Sequence, residues 1–578
     1  MADWNAMLAS IRDYAGPRLV PALIIVTLGS IVEGAGLILL LPIADLAFSG
    51  ASSNSPVAGI AEQLFASLGL GNTLQQLAFL CIAFLFIILL RAVILLRRDA
   101  LLSELSQGYV DHFRKEIFAA LANAEWTAIK RVQRAHLLDN MTTNIARMSL
   151  AVRFISQAGI MLVMVVIYLA SGFIVHWGIG LLLAIISGIA AIAGLRWSRR
   201  SRRLGEAMTK SNRFIMDEMT RFLDGLKTAK AYQAGDLFAR RFNMRIDAAR
   251  AVSVQFVRQQ GRMRRIIEMI GACTAVILLL SGYGLLSLSG AELLVMGAIV
   301  IRLMPGLLTL FSGMQSISYA LPAFTAAQSI RKKLEDAKED IAIQDAGGTN
   351  GLNHNGAIKL TNIRVSAMSD SADTQLLYVE GITLPAHGLI HVEGPSGAGK
   401  STFAELIAGL QLASAGTITI GDVELSKANR VAWQSQIAFV PQEPFLFAAS
   451  VRENLCWPNA EVTEREIWVA LEAAAAGDLV KGLSDGLDHA LQDGGNRLSG
   501  GERQRLCLAR ALLRPSSILI VDEATSAVDS AVEGIIVKNL AKIAQRKPVI
   551  LISHSAQPAK FSNYSLSITQ DGHVIVQE

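Results

Sequence analysis

A loop suited to phosphate binding is predicted in the segment Gly394-Pro395-Ser396-Gly397-Ala398-Gly399-Lys400-Ser401-Thr402. This segment fits the pattern G-x-x-x-x-G-K-[ST]; the strand-like run Leu389 to Glu393 precedes it and the helix-like run Thr402 to Leu410 follows. Glycines let backbone N–H groups surround phosphate oxygens, and the helix N-terminus adds a positive dipole. We expect Lys400 to neutralise β- and γ-phosphate charge and Ser401 to ligate Mg²⁺.

Two acids end a second strand-like run. The apolar residues after Ser517 lead to Asp522 and Glu523, the pattern of a strand buried on both faces that delivers carboxylates at its carboxyl end. We expect Asp522 to join the Mg²⁺ ligands and Glu523 to polarise the attacking water. His554 ends another apolar run and can hydrogen-bond the γ-phosphate. A lone histidine is more often structural, but a strand-end position in a P-loop domain favours function.

A further glycine pair opens the helix-like run that ends at Leu513. Ser499, Gly500 and Gly501 lie at the start of this run, where a helix binds anions. One domain then has one P-loop but two phosphate-binding helix starts. An economical interpretation is that the second serves a nucleotide held by another copy of the chain; an ordinary glycine N-cap is the alternative.

The sequence before residue 326 is predicted to cross a membrane. Of 578 residues, 52% are hydrophobic and 17% charged, which excludes disordered and fibrous classes. Six apolar runs before residue 326 are long enough to cross a hydrocarbon core of about 30 Å, and only helices or closed barrels satisfy their backbone there. The predicted helices are Leu19 to Phe48, Leu74 to Leu96, Phe154 to Val175, Gly178 to Leu195, Ile266 to Leu288 and Leu293 to Phe324, preceded by a short interfacial helix ending at Gly16-Pro17.

Lysine and arginine positions predict the orientation of these helices. Residues 51–73 contain no Lys or Arg, whereas residues 97–153 contain nine and residues 196–265 contain eighteen. Short cytoplasmic loops carry the positive excess, so both termini and the C-terminal domain are expected in the cytoplasm. The arginines between Arg196 and Arg203 favour a cytoplasmic membrane anchor over a nucleic-acid site.

The chain is predicted to form a transmembrane domain over residues 1–330, a linker over 331–357 and an α/β domain over 358–578. The two basic loops are long and helical, with short turns at Asn123 to Arg134 and Asp224 to Gly235. There Trp126, Ala231 and Tyr232 either dock into a partner domain or remain solvated.

Taken in order, the motifs closely resemble those of the ATP-binding cassette (ABC) family. They are Gly394 to Thr402, Gln442 in Phe-Val-Pro-Gln-Glu-Pro, Leu498 to Gln504, Ile518 to Glu523, Ser526-Ala-Val-Asp529 and His554. Six helices with two long cytoplasmic loops resemble the exporter branch, in which a half-transporter fuses membrane and nucleotide-binding domains. The resemblance implies a membrane α-helical domain of exporter type plus an α/β P-loop NTPase domain with a helical subdomain.

The resemblance also implies a dimer. Two chains would sandwich two ATP molecules, each between Lys400 of one chain and Ser499 to Gly501 of the other. Gln442 would sense the γ-phosphate and Mg²⁺, and Asp529 would lie across the dimer interface. A homodimer is favoured over a heterodimer because Glu523, His554 and the Ser499 motif are all intact.

The sequence departs from the family pattern at two places. No aromatic residue stands near Ala367, where the family usually stacks one on adenine, although Met368 offers an apolar contact. Asp493 replaces the glutamate that is usual in exporters.

Ionisable residues inside membrane helices are functional candidates because their burial in lipid is costly. At 1.5 Å per residue, Glu33 lies roughly 24 Å above the cytoplasmic start of the first predicted membrane helix, and Arg302 lies roughly 15 Å below the outer start of the sixth. Both positions are too deep for water. We expect both to face the substrate pathway with Gln315, Ser316 and Tyr319, and a structural interhelix contact is the alternative.

The expected function is ATP-driven export or flipping of a hydrophobic or amphipathic substrate by alternating access of a dimer. A lipid, lipid-linked glycan, peptide or drug crossing the bacterial inner membrane would fit, with membrane lipid as a further partner. No nucleic acid and no binding protein are expected. The alternative is a membrane-anchored ATPase that regulates another membrane protein.

Overall fold

The computed structural model describes residues 2–48, 63–70, 72–175, 177–284, 290–339, 356–369, 372–458, 461–525 and 527–577. Contacts divide the chain into two compact units: residues 1–123 with 130–336, and residues 124–129 with 337–578. The predicted domain limits at residues 330 and 357 stay predictions.

The first unit consists of long helices, because its apolar runs continue into basic segments with few glycine or proline residues to end a helix. The helices of this part of the chain are α1 (Ala2–Ala15), α2 (Leu19–Phe48), α3 (Thr73–Ala122), α4 (Trp126–Arg131), α5 (Arg134–Asp139), α6 (Ile145–Val175), α7 (Trp177–Asp224), α8 (Leu226–Ala231), α9 (Gly235–Gly284) and α10 (Gly290–Glu335). A π-helical turn, Asn140–Asn144, joins α5 to α6. The predicted turns at the loop tips contain the short helices α4 and α8.

Among the described residues, five helices are long and apolar enough to cross a membrane. The other predicted span lies in α7, whose described apolar stretch Trp177–Ile189 is shorter, so the number six stays a prediction. The first helix ends at Ala15, as predicted, before the turn Gly16–Arg18. Only 6% of the most apolar stretch of α3 is buried within the chain. An exposed apolar surface of this extent is suited to lipid rather than water.

Arg147 is a buried polar link between helices of the first unit. Its buried guanidinium donates to Thr209 Oγ1 at 2.6 Å, to the Gly205 carbonyl at 3.2 Å and to the Tyr319 carbonyl at 2.5 Å. It also lies 4.7 Å from the centre of the Tyr319 ring. One cation from α6 therefore binds α7 and α10 where the two backbones approach closely.

The second unit contains two sheets. The strands are β1 (Ile358–Ser369), β2 (Ala372–Leu384), β3 (Gly388–Glu393), β4 (Ala415–Ile420), β5 (Val423–Glu424), β6 (Ile437–Val440), β7 (Ile518–Asp522), β8 (Pro548–Ile552), β9 (Tyr564–Ile568) and β10 (Val574–Gln577). An antiparallel sheet has the order β2-β1-β4-β5, and a larger sheet has the order β10-β9-β3-β8-β7-β6. Within the larger sheet β9, β3, β8, β7 and β6 run parallel, so their carboxyl ends share one edge.

Helices cover this larger sheet and form two apolar cores. They are α11 (Lys400–Ile407), α12 (Arg430–Ser435), α13 (Val451–Cys456), α14 (Glu464–Ala473), α15 (Gly477–Lys481), α16 (Gly500–Leu513) and α17 (Ser530–Ala544). One core joins both sheets to α11, and the other packs α13 to α17 against the opposite sheet face. Strands β7 and β8 are fully buried, as continuous apolar sequences in a parallel sheet predict.

The close approach of α7 and α10 generates a stability prediction. A Cβ added at Gly205 would overlap the backbone carbonyl of Tyr319, whereas one added at Gly188, also on α7, meets nothing within 4 Å. We expect Gly205→Ala to destabilise the membrane unit by about 1–3 kcal/mol, the usual cost of overpacking. Gly188→Ala should be neutral or slightly stabilising because alanine favours a helix. Thermal unfolding in nanodiscs measures both, and equal midpoints would contradict the packing argument.

Candidate active site

The predicted phosphate loop connects β3 to α11. Gly394 and Gly399 have φ values of +155° and +99°. A Cβ at Gly399 would lie 2.8 Å from the Leu376 carbonyl oxygen, so only glycine fits this turn without strain. The helix begins at Lys400, two residues before the predicted start at Thr402. The loop therefore presents backbone N–H groups at a helix N-terminus, as the motif predicts.

Lys400 is 5% exposed and points back across this loop. Its Nζ donates to the carbonyl oxygens of Gly394 at 3.0 Å and Pro395 at 3.2 Å. It also lies 3.0 Å from His554 Nε2. The ammonium and the imidazole, 154 residues apart in sequence, thus share the space above the phosphate loop.

Asp522 ends the buried strand β7. Burial raises the pKa of the Asp522 carboxyl; a hydrogen bond with Ser401 lowers it in part, and the nearby carboxylates Glu523 and Glu405 raise it further. Its Oδ1 is buried and, among the described residues, has no hydrogen-bond partner. An oxygen ligand of this kind beside a serine hydroxyl fits Mg²⁺, which prefers a small number of oxygen ligands next to a phosphate.

Glu523 follows with a left-handed backbone, φ +48°, which is uncommon for a residue with a side chain. Its amide N–H donates to the Ile552 carbonyl at 3.1 Å. Gln442 Nε2 donates to Glu523 Oε2 at 2.7 Å. His554 Nε2 and Lys400 Nζ lie 3.1 Å and 3.4 Å from Oε1. The unusual turn therefore brings three other predicted residues, Gln442, His554 and Lys400, around the Glu523 carboxylate.

The glycine pair lies at the start of α16. Ser499 is its N-cap and forms a reciprocal capping box with Glu502. A Cβ at Gly501 would lie 2.5 Å from the Ala527 carbonyl oxygen, so glycine permits this helix to approach the segment after β7. Asp529, the N-cap of α17, is exposed, and Ser526 lies outside the described residues.

Glu533 on α17 is a residue that motif reasoning missed. It is 6% exposed; its Oε1 accepts from Thr525 Oγ1 at 3.2 Å and its Oε2 accepts from Ser555 Oγ at 2.9 Å. Thr525 follows Glu523 by two residues, and Ser555 follows His554. The sequence does carry a signal for Glu533. It precedes Ile536 by three residues and Val537 by four, so helical spacing places this acid on the apolar face of the helix.

The loop segment 124–129 lies far from residue 337 in sequence but belongs to the second unit by its contacts. Trp126 Nε1 donates to Glu405 Oε1 of α11 at 3.2 Å. Arg430, 2% exposed, lies 3.4 Å from Glu125 and 3.6 Å from Glu339. Trp126 thus makes the contact expected of a docking residue, whereas Tyr232 at the other tip is 79% exposed.

The membrane candidates do not form one described cluster. Gln315 is buried with Nε2 unpaired in the described part of the chain, Ser316 is half-buried and Arg302 is exposed. Tyr319 stacks on Phe256 with ring centroids 4.1 Å apart and contacts Arg147, which favours the interhelix role for Tyr319. The side chains of Glu33, Ala367, Met368 and Asp493 lie outside the described residues.

Comparison with known protein families agrees with this geometry. The family model for the ABC transporter transmembrane region matches residues 20–304, and the ABC transporter model matches residues 381–526. This chain belongs to the ABC transporter family. It is an ATP-hydrolysing transporter with fused membrane and nucleotide-binding domains, as the motifs predicted.

Relatives of this ABC transporter include exporters. The ATP-dependent lipid A-core flippase of Desulfotalea psychrophila is 26% identical over 496 residues, 84% of each chain. The heterocyst differentiation ATP-binding protein HepA of Nostoc sp. is 25% identical over 445 residues, 77% of this chain and 72% of that protein. A solved bacterial Atm1-family ABC exporter with ATP bound has the same fold, with a TM-score of 0.78, 21% identity and coverage of 96% and 95%. ATP-driven export of a substrate across a membrane is thereby supported.

The buried Asp522 carboxylate generates a prediction about pH and stability. Its raised pKa means that the folded domain holds this proton more tightly than the unfolded chain does. The stability that this gives is greatest at low pH and is lost as pH rises past the raised pKa. Without nucleotide or metal, Asp522→Asn should therefore stabilise the domain at neutral pH by of order 1 kcal/mol. The advantage over the parent protein should shrink as pH falls.

Thermal unfolding in EDTA between pH 5 and pH 8 measures this effect. Asp571→Asn, which changes an exposed carboxyl of the same unit, is the matched control and should leave the midpoint unchanged. A lower midpoint for Asp522→Asn at every pH would contradict the argument.

The Glu533 contacts generate a second prediction. Glu533→Gln replaces one acceptor oxygen by an amide donor and leaves a buried hydroxyl poorly paired, which costs roughly 1–2 kcal/mol. Because Thr525 and Ser555 flank Glu523 and His554, we expect about a tenfold lower kcat, with KM for ATP changed less than twofold. Steady-state ATPase kinetics measure both constants, with Glu380→Gln on the exposed face of β2 as control. A fall in thermal stability with no change in kcat would leave Glu533 a purely structural residue.

Proposed function

We propose that this transporter exports a hydrophobic or amphipathic solute across a bacterial inner membrane, as a homodimer driven by Mg²⁺-dependent ATP hydrolysis. The observation that best supports this proposal is the position of the Glu523 carboxylate, which lies 2.7 Å from Gln442 and 3.1 Å from His554 beside the phosphate loop. A carboxylate held at a strand end next to phosphate-binding N–H groups is suited to take a proton from an attacking water.

Within each site we assign the residues separate roles. The N–H groups from Gly394 to Thr402 and the Lys400 ammonium bind the phosphate chain, while Glu523 accepts the proton of the water. His554 orients the γ-phosphate, and Gln442 holds Glu523 in place. Ser401, Asp522 and Gln442 would hold Mg²⁺, which supplies positive charge to the β- and γ-phosphate oxygens.

The second half of each site is assigned to another copy of the chain. Ser499, Gly500 and Gly501 present a second helix N-terminus, and the exposed Asp529 carboxylate lies close by in sequence on the segment that contacts Gly501. Each of these groups occurs once per chain, so two identical chains build two complete sites. The contact of Trp126 with Glu405 connects the loop tip to α11, the helix that follows the phosphate loop.

The transport pathway is assigned to the membrane unit. Glu33 and Arg302 are ionisable residues deep in predicted spans, and Gln315 carries a buried, unpaired amide nitrogen in the described region. A pathway containing such groups suits a solute with a polar part and an apolar part. Such a solute would enter the pathway from the bilayer, between the lipid-facing helices. Ser316 adds a half-buried hydroxyl to the same helix.

Proteoliposomes that contain the full chain test the proposed function. Glu523→Gln should lower ATPase activity at least about 100-fold, the usual minimum contribution of a general base, and abolish ATP-dependent transport together with it. ATP binding should persist because the phosphate loop is untouched. Glu461→Gln, an exposed glutamate of the same domain, is the control and should retain both activities.

The readouts are phosphate release and uptake of fluorescent lipid or drug substrates into inside-out vesicles. ATPase activity that depends on Glu523 without any transported substrate would instead favour a membrane-anchored ATPase that regulates another protein. Full activity in strictly monomeric protein would contradict the paired sites.

A further inference from the structure

A cavity of about 670 Å³ lies between α7 and α9, in the basic part of the membrane unit. Trp197 and Arg200 line it from α7. Most of the remaining wall comes from one face of α9, on which Arg250, Arg258 and Arg262 follow at helical spacing. The cavity therefore has an aromatic end and a wall of guanidinium groups.

The charge of this wall is strongly unbalanced. Four arginines face the cavity, and Asp247 is the carboxylate among its lining residues. Within the described part of the chain, none of the four guanidinium groups forms an ion pair with a carboxylate. Neighbouring arginines differ: Arg264 pairs with Glu268 at 2.8 Å, and Arg202 pairs with Asp3 and Glu206. Positive charge is therefore left uncompensated in this cavity.

Gln259 gives a second, independent indication of a ligand. It is 7% exposed and lines the cavity between the arginines. Its Nε2 donates to the buried Ser201 Oγ at 2.9 Å, which fixes the amide against α7. Its Oε1 is buried without a hydrogen-bond partner among the described residues. Buried acceptors are normally paired, and a donor on a bound molecule can pair with this oxygen once the amide turns it toward the cavity.

We propose that this cavity binds the anionic group of an amphipathic solute, a phosphate or carboxylate that also carries a hydroxyl or amide N–H donor. Arginine binds both anions through bidentate, charge-assisted hydrogen bonds. The donor pairs with Gln259 Oε1, and the apolar part of the solute lies along Trp197 and Val254. The inference rests on the proposed export function and specifies the class of solute that the membrane unit recognises.

Two sources supply such an anion: an amphiphile from the bilayer or a free anion from the cytoplasm. The position of Trp197 and Val254 in the same wall favours the amphiphile, because inorganic phosphate leaves both apolar surfaces unused. A third occupant, an acidic segment of a second copy of the chain, would pair with the arginines as part of the dimer interface. The experiment separates these three.

The test uses the full chain with Glu523→Gln in phosphatidylcholine nanodiscs and in the presence of ATP. Bound ATP occupies the phosphate loop, so an added phosphate compound cannot bind there and be mistaken for a ligand of the cavity. Native mass spectrometry measures binding of dodecyl phosphate, with dodecyl maltoside as the uncharged probe. Arg258→Gln and Arg262→Gln should each weaken dodecyl phosphate binding about tenfold, as expected for loss of a charged hydrogen bond. Arg265→Gln, an exposed arginine of α9 outside the cavity, should leave it unchanged.

Further arms make each outcome decisive. Arg258→Lys should recover part of the affinity because the charge returns, and dodecyl maltoside binding should not respond to any of the variants. Competition by millimolar inorganic phosphate that depends on Arg258 would support the anion site and assign it to a free anion. Equal effects of Arg258→Gln and Arg265→Gln, or dissociation of the dimer in the cavity variants, would overturn the proposal.

The same variants are assayed for ATPase activity without the Glu523 substitution. Basal activity should persist in all of them because the cavity is not part of the nucleotide site, while half-maximal stimulation by dodecyl phosphate should shift about tenfold for Arg258→Gln. Absence of ATPase activity in every protein would refute the proposed function alone, since binding is measured separately. Unshifted stimulation together with unshifted binding would refute the cavity assignment alone.

Discussion

The burial of one parallel strand on both faces is the constraint on which the nucleotide site depends. Strand β7 is covered on both sides, so its polar residues can stand only at its end, where the sheet edge opens. There Asp522 remains partly inside the core and Glu523 turns outward through a left-handed backbone. Two adjacent carboxylates thus obtain different environments, one suited to a metal ion and one to a water molecule.

Hydrogen bonds that cross the sheet edge keep this arrangement in place. Gln442 after β6, Lys400 after β3 and His554 after β8 all reach the Glu523 carboxylate because the parallel strands end side by side. Glu533 connects the segments that follow Glu523 and His554, because it accepts hydrogen bonds from Thr525 and Ser555. Movement of any one of these segments therefore changes the position of the others.

The membrane unit differs, since its long helices expose many large apolar side chains and are joined inside by buried polar residues. Arg147 donates through its two terminal nitrogens to a hydroxyl and to two backbone carbonyl oxygens at a close helix contact. The arginines of the cavity between α7 and α9 are not used in this way. This contrast distinguishes arginines that stabilise the fold from arginines available to a ligand.

Much of the fold followed from local sequence. The run Leu19 to Phe48 forms one helix with those bounds, and the phosphate loop lies between a strand and a helix as its motif requires. Sequence reasoning missed Glu405 and Arg430 because their partners are distant along the chain. It missed Glu533 because no motif marks its contacts with Thr525 and Ser555, which lie 8 and 22 residues away. Glu405 and Trp126 are 279 residues apart, and no local pattern records such a pair. The sequence predicts turns where the short helices α4 and α8 lie, since six residues are too few for a periodic signal.

By itself, the sequence determined the chemistry of the nucleotide site and the division between membrane and α/β parts, because both depend on residue spacing of a few positions and on runs of apolar residues. Only the tertiary structure decided which carboxylate is buried and which is turned outward, and which arginines are paired. Those properties depend on desolvation and on distances between segments far apart in the chain, and packing alone sets them.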